Sequence, residues 1–269
     1  MRLNKYISHN SKYSRRDADA LIKAGEVTVN KKVMQNFGYD VQEGDRVSVK
    51  GNPIKERTKL TMIVYNKPKG SLVTKKDDRG RTTIYHLLPG KFRHFIPIGR
   101  LDYASEGLLL MTDSPKVADV MMHSGLDRTY NIKIDKALTK EMERAIQEGL
   151  ELEDAKAGGH EKSKIQTMEF APFVNYEVRG ASSNFTKLRV TIAEGKNREL
   201  RRFFGHFGAN VLDLKRIAFG GIELNNLPTN KTRYFTRREY DDLRKYLKVM
   251  KRMEEEQSYI DDSDNYFED

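Results

Sequence analysis

Asp102 stands in the run Ile98-Gly99-Arg100-Leu101-Asp102-Tyr103-Ala104-Ser105-Glu106-Gly107, which opens into the apolar segment Leu108-Leu109-Leu110-Met111. An acid in a glycine-bounded turn ahead of a buried strand has two readings. Its carboxylate can hydrogen-bond the backbone of its own turn, the ordinary role of Asp in such places, or it can stand free as a nucleophile or base. In the second case it must be ionised, and a closed pocket works against that unless a cation sits beside it. The run Glu194-Gly195-Lys196-Asn197-Arg198-Glu199-Leu200-Arg201-Arg202-Phe203 offers Lys196, Arg198 and Arg201 for that place. Tyr130 lies in a strand-like segment, where a ring is either core or a stacking surface. Other chemistries find less support. His9, His86, His94, His123, His160 and His206 show no paired metal-ligand spacing, and Gly158-Gly159 and Gly220-Gly221 lack the context of a phosphate loop. With zero Cys, disulfides, thiolate zinc sites, iron–sulfur clusters and a cysteine nucleophile are excluded.

The elements that must position these groups follow from periodicity and capping. Leu3, Tyr6 and Ile7 have helical spacing, giving a short first helix over about 2–9. Ser14 can cap a second helix, with Asp17 three residues on reaching back, Ala18, Leu21 and Ile22 as its apolar face and Gly25 ending it. The alternation Val27-Thr28-Val29, a turn near Asn30-Lys31-Lys32 and the run 44–49 predict short strands after the helices. The polar, breaker-containing segment 51–59 reads as a linker. Beyond it, strands are expected at 60–65, 94–98, 108–111, 130–134 and 188–192. Helices are expected from Ser114 with Pro115 at the first helical position, after Thr139, and over about 197–207. This order predicts an α+β domain around a mixed, mainly antiparallel sheet.

The chain has 269 residues and 38% hydrophobic composition, enough for one large or two modest domains. Its 49 Lys+Arg against 39 Asp+Glu give a formal net charge of +10, so a polyanionic partner is the first to consider. The acids concentrate at the C-terminal end: eight of them and no Lys or Arg fall between Glu254 and Asp269, which leaves the body more basic still. The resulting division is 1–59, 60–250 and an acidic tail over 251–269 expected to be disordered, since like charges repel and its apolar residues lack regular spacing. No apolar run approaches membrane-spanning length and the start lacks a secretory apolar stretch, so a soluble, cytoplasmic protein is expected.

Two resemblances cover most of the chain. Ser14-Arg15-Arg16-Asp17-Ala18-Asp19 with Ile22-Lys23-Ala24-Gly25-Glu26-Val27-Thr28-Val29-Asn30 resembles the small RNA-binding domain of ribosomal small-subunit protein four. That implies phosphate contacts for Arg15, Arg16, Lys23, Lys31 and Lys32; paired arginines in a first helical turn oppose the helix dipole, which an anionic partner offsets. The segment 98–113 is similar to the signature loop of RNA pseudouridine synthases. Lys67-Pro68-Lys69-Gly70 resembles that family's first motif, Arg128-Thr129-Tyr130 its tyrosine motif and 194–203 its last, in the family's order. Together with the N-terminal domain this looks like the bacterial subgroup named after RsuA, RluB, RluE and RluF, over about residues 1–240. The segments 78–84 and 197–199 are most like RluB-type enzymes of large-subunit RNA. Ala104 stands where the family usually has Asp or Asn, Ser105 replaces a frequent Thr and Arg128 a frequent Lys. None of these removes a reacting group, although Ala104 could loosen the turn that presents Asp102.

The resemblance implies that Asp102 is the catalytic residue, by addition to sugar or base or through a glycal, with no cofactor or metal required. It favours Lys196 as the cation paired with Asp102, with Arg198 the alternate. It implies that Leu200 closes the apolar side of a uracil pocket and that Tyr130 stacks under the flipped base. Arg100 would hold that nucleotide or fill its place in the stack, and Lys67, Arg198, Arg201 and Arg202 are expected to face RNA. The implied function is isomerisation of one uridine to pseudouridine in ribosomal RNA or a pre-ribosomal particle, by a monomer. The competing readings are a non-catalytic RNA-binding ribosome assembly factor and a transfer RNA pseudouridine synthase.

Overall fold

In the computed structural model, residues 1–55, 60–160 and 163–264 are described, with side chains up to Met253. The N-terminal unit packs α1 (Leu3–Asn10) and α2 (Arg15–Lys23) on a small antiparallel sheet of β1 (Val27–Val29), β2 (Lys32–Val33), β3 (Val47–Val49) and β4 (Asn52–Pro53), in the order β2-β1-β3-β4. The Ser14–Asp17 capping box starts α2 as its sequence predicts, and Gly25 follows the helix at φ +71°. Leu3, Ile7, Ala18, Ile22, Val27 and Val47 close the core. Asn30 and Lys31 both have positive φ, which fits the expected turn between β1 and β2. The linker expected over 51–59 starts too early. Asn52 and Pro53 pair with β3 and Ile54 packs on the small core, because the turn at Lys50 and Gly51 returns the chain to the sheet. Residues 56–59 lie outside the described residues.

The second unit is built on a nine-stranded sheet. Its strands are β5 (Met62–Lys67), β6 (Ile96–Pro97), β7 (Glu106–Thr112), β8 (Arg128–Ile134), β11 (Asn175–Ser182), β12 (Phe185–Ile192), β13 (Val211–Phe219), β14 (Ile222–Glu223) and β15 (Thr232–Tyr234). The main path runs β11-β12-β8-β13-β7-β5-β15; β6 adds to β7 and β14 to β13. Only β13 and β7 pair in parallel, so the sheet is mixed and mainly antiparallel. A separate ribbon joins β9 (Leu150–Leu152) to β10 (Met168–Phe170). The helices are α3 (Ile84–Leu87), α4 (Pro115–Met122), α5 (Lys140–Glu148), α6 (Glu199–His206) and α7 (Arg237–Asp264).

Residue pattern explains which strands are covered. Every residue of β5 is buried: Ile63 and Tyr65 enter one core beneath α5 and α6, while Met62 and Val64 enter another beneath α4 and α7. On β8, by contrast, Arg128, Tyr130, Ile132 and Ile134 are buried while the residues between them are not, so one face stays open. The parallel contact of β13 with β7 depends on Gly107, at φ +105°, because a Cβ there would be driven into the Arg216 backbone. The expected disordered tail is corrected in part. Helix α7 continues through Asp264, as the absence of Gly or Pro after Pro228 and the helix-forming Glu254-Glu255-Glu256 allow. Residues 265–269 lie outside the described residues. Among the described residues, no helix is long and apolar enough to cross a membrane.

Candidate active site

Asp102 lies in the loop entering β7, at the rim of a cavity of about 160 Å³. The turn is closed by main chain: the Ser105 N–H donates to the Asp102 carbonyl at 3.0 Å. The side-chain carboxylate is not spent on that turn. Its Oδ2 lies 3.3 Å from Arg198 Nη1 and 3.7 Å from Arg201 Nε, two guanidiniums converging on one oxygen. This decides between the two readings that residue type left open, in favour of a carboxylate held by cations and partly exposed to the cavity.

The expected partner is corrected, since Lys196 is occupied elsewhere. Its Nζ donates to the Glu169 carbonyl at 2.7 Å and pairs with Glu194 at 2.7 Å. The backbone explains the exchange: Arg198 takes a left-handed conformation (φ 51°) ahead of α6, and its guanidinium bridges the Gly158 carbonyl and Asp102. Arg201, in the first turn of α6, ties the loop down. Nη1 donates to the Val211 carbonyl at 2.9 Å, and Nη2 reaches the Ala104 carbonyl and Ser105 Oγ, each at 3.3 Å. The turn that Ala104 could have loosened is therefore held from outside.

Lys67 and Arg202 also differ from expectation. Lys67 is fully buried beneath the loop and donates to the carbonyls of Pro68, Asp102 and Ser105 at 3.0, 3.1 and 2.8 Å. Burial pulls its pKa down to about 8. It fastens the first motif to the Asp102 loop and has no surface to offer RNA. Arg202 is fully buried too, donating to the carbonyls of Ala155 and Asn197 and to Ser163 Oγ, so it braces the segment ahead of β10. Arg201, expected at a phosphate, is turned inward by the bonds above.

The remaining expected residues fall where chemistry could use them. Tyr130 on β8 and Leu200 on α6 are both buried and line the cavity, with Ile98, Ile192, Leu214 and Phe219 as further apolar wall. Arg100 is exposed at its rim. Arg15, Arg16, Lys23, Lys31 and Lys32 are exposed on the N-terminal unit. A cavity of roughly 150 Å³ accommodates a benzene ring, so this one suits a single pyrimidine with an aromatic ring beside it.

Two cavity residues escape sequence reasoning. Glu199 is a charged position inside a basic run, with nothing in its spacing to mark it as buried; Arg216 sits on β13, whose alternation is broken by register shifts at 211/213 and 216/218. Burial raises the Glu199 pKa to about 7, against the opposing hydrogen bond from the Lys196 N–H to Oε2 at 2.9 Å. Below about pH 4.5 the carboxyl is neutral folded and unfolded. Between 4.5 and 7 the folded protein holds the proton longer, so stability falls as pH rises through that window. Glu199→Gln removes this dependence. Relative to the variant, the wild type is expected to lose on the order of 3 kcal/mol between pH 4.5 and 7.5, read from urea midpoints. A constant difference would show that Glu199 ionises freely.

Comparison with known proteins bears on the family and the fold. The model of the RNA pseudouridylate synthase family matches residues 61–206, and that of the S4 domain residues 1–47. An RNA pseudouridine synthase of Helicobacter pylori is 47% identical over 249 residues, covering 92% of this chain and 95% of the relative. Ribosomal large subunit pseudouridine synthase B of Bacillus subtilis is 33% identical, covering 90% and 95%. The dual-specificity RNA pseudouridine synthase RluF of Escherichia coli is 34% identical, covering 92% and 79%. A crystal structure of a pseudouridylate synthase superposes with a TM-score of 0.60 at 21% identity, over 90% of this chain and 99% of that one, which speaks to the fold.

Proposed function

The chain belongs to the RNA pseudouridylate synthase family, and from that premise we propose that it isomerises one uridine of large-subunit ribosomal RNA, free or in a pre-ribosomal particle. The N1–C1′ bond of the nucleoside breaks and a C5–C1′ bond forms; the C5 proton leaves and N1 gains one, with no net redox change. A uridine inside a helix cannot reach Asp102, so the nucleotide must first leave its stack, at a cost of a few kcal/mol that is smallest in loops. The observation that carries the reading is the Asp102 carboxylate, paired with Arg198 and Arg201 at the rim of a pyrimidine-sized cavity that has an apolar wall.

In this reading Asp102 reacts with the sugar or base or takes a sugar proton. Tyr130 stacks on the uracil and serves as the base for its C5 proton, and Leu200 closes the apolar side. Arg198 and Arg201 take the role that the family resemblance gave to Lys196. Arg100 holds the extruded nucleotide. The exposed Arg15, Arg16, Lys23, Lys31 and Lys32 grip phosphates of a neighbouring stem, and such contacts weaken steeply with salt. The large-subunit substrate is supported by the name of the Bacillus subtilis relative. Ribosomal RNA as substrate implies the cytoplasm as the place of work, and a cavity lined from one chain lets a monomer act.

The test is pseudouridine mapping of unmodified large-subunit, small-subunit and transfer RNA transcripts, and of assembly intermediates, after incubation with the wild-type chain. One new pseudouridine in large-subunit RNA is expected. A product confined to transfer RNA would replace the substrate assignment, and no product in any RNA, with binding intact, would favour an assembly factor.

A further inference from the structure

Arg216 projects from β13 beside Tyr130, its cross-strand partner on β8, and lines the same cavity. It is only 3% exposed. Nε donates to the Leu108 carbonyl at 2.7 Å, and the guanidinium lies 5.4 Å from the centre of the Phe219 ring, which Arg128 approaches at 4.8 Å. These contacts fix its plane. Nη2, however, is buried without a hydrogen-bond partner among the described residues. A donor in that state costs free energy that its fold contacts do not recover, and the cost disappears if an acceptor enters the cavity.

We infer that Arg216 reads the base, with Nη2 donating a hydrogen bond to an exocyclic carbonyl oxygen of the flipped uracil. The inference rests on the proposed function and adds a specificity-determining residue to it. Uracil presents two such acceptors, O2 and O4. Cytosine keeps O2 but carries an amino donor at C4, so a bond to O4 would set donor against donor and reject cytidine. A site built around a substrate hydrogen bond rejects analogues that lack it far better than an apolar pocket rejects a change of size. Apolar walls such as Leu200 and Ile192 accept any pyrimidine, which leaves the choice of base to the polar groups among them.

The experiment is a cycle between enzyme and substrate. Wild type and Arg216→Lys, which keeps the charge but loses the fork of donors, are assayed on the target RNA carrying uridine, 2-thiouridine or 4-thiouridine at the reacting position. Sulfur is the weaker acceptor. Wild type is expected to lose about tenfold or more in kcat/KM on one sulfur substrate. R216K is expected to be slow on uridine and to lose nothing further on that same analogue; a merely structural Arg216 would give both enzymes the same sulfur factor, overturning the inference. Should R216K not fold, Phe219→Leu, which loosens the guanidinium while sparing the Leu108 bond, is expected to shrink the sulfur effect, and an unchanged effect would count against the inference. Wild type insensitive to both sulfur positions overturns it without any variant. If wild type makes no pseudouridine in the uridine RNA, the proposed function fails and this inference with it; if it does and the sulfur factors are equal, only the role of Arg216 falls.

Discussion

Asp102→Asn is expected to lower the rate of pseudouridine formation by about 10⁴-fold or more, while RNA binding is kept. The substitution preserves shape and removes the reacting group. An amide neither adds to a sugar or base carbon nor takes a proton at neutral pH, so the nucleophilic and glycal routes fail alike. Binding survives because the exposed cations of the N-terminal unit and the apolar wall of the cavity are untouched, and removing one negative charge near the RNA can only ease phosphate approach. The loop should hold as well, since its fastenings run through main-chain carbonyls: Lys67 grips those of Asp102 and Ser105, and Arg201 that of Ala104. The measurement is release of tritium from C5 of labelled uridine in the target RNA, beside a filter-binding titration at fixed salt. Asp102→Ala controls for any residual reactivity of the amide. Activity within tenfold of wild type in either variant would remove Asp102 from the chemistry.

The way this site is assembled also shows what sequence could and could not reveal. The capped helix at Ser14, Pro115 at the start of α4 and the buried run of β7 are local signals, and each appears where it was read. Asp102, Tyr130 and Leu200 were legible through motif resemblance, and the fold brings them to one cavity. The partner of Asp102 was not legible. Three cations lie within a few residues, and the choice among them turned on one left-handed residue, Arg198, and on acceptors at Glu169 and Glu194 that take Lys196 away. Burial of Lys67 and Arg202 was hidden for a related reason. Cations are seldom buried, and these two are tolerated because oxygen acceptors surround each, two of them in each case from distant parts of the chain. Sequence spacing says nothing about such acceptors. The bulged strand β13 carries Arg216 through the same blind spot, because each register shift resets the alternation by which strands are recognised.

Arg201→Ala is expected to cost about 10²- to 10³-fold in kcat with little change in the KM for RNA. Among the cations near Asp102, Arg201 does two things at once. Its Nε stands 3.7 Å from the carboxylate, while its two terminal nitrogens join the Val211 carbonyl to the Ala104 carbonyl and Ser105 hydroxyl. Alanine removes charge compensation and the brace of the loop together, and a loop displaced by an ångström already costs about 10²-fold. Arg198→Ala should cost less, because Arg198 fastens only Gly158 and Asp102 and leaves the loop braced. Arg201→Lys keeps the charge but offers a single point instead of a fork, so it should recover only part of the loss. The two functions separate by chemical rescue. Free guanidinium ion at millimolar concentration can enter the space left in R201A and restore the charge beside Asp102, so kcat should rise with its concentration and saturate, whereas R201K should not respond. Equal activity of R201A and wild type would mean that Arg198 alone sustains the carboxylate. A loss in R201A seen entirely in KM would mean that Arg201 belongs to RNA binding, as the family resemblance implies, and that the inward bonds of the free protein are exchanged when RNA arrives.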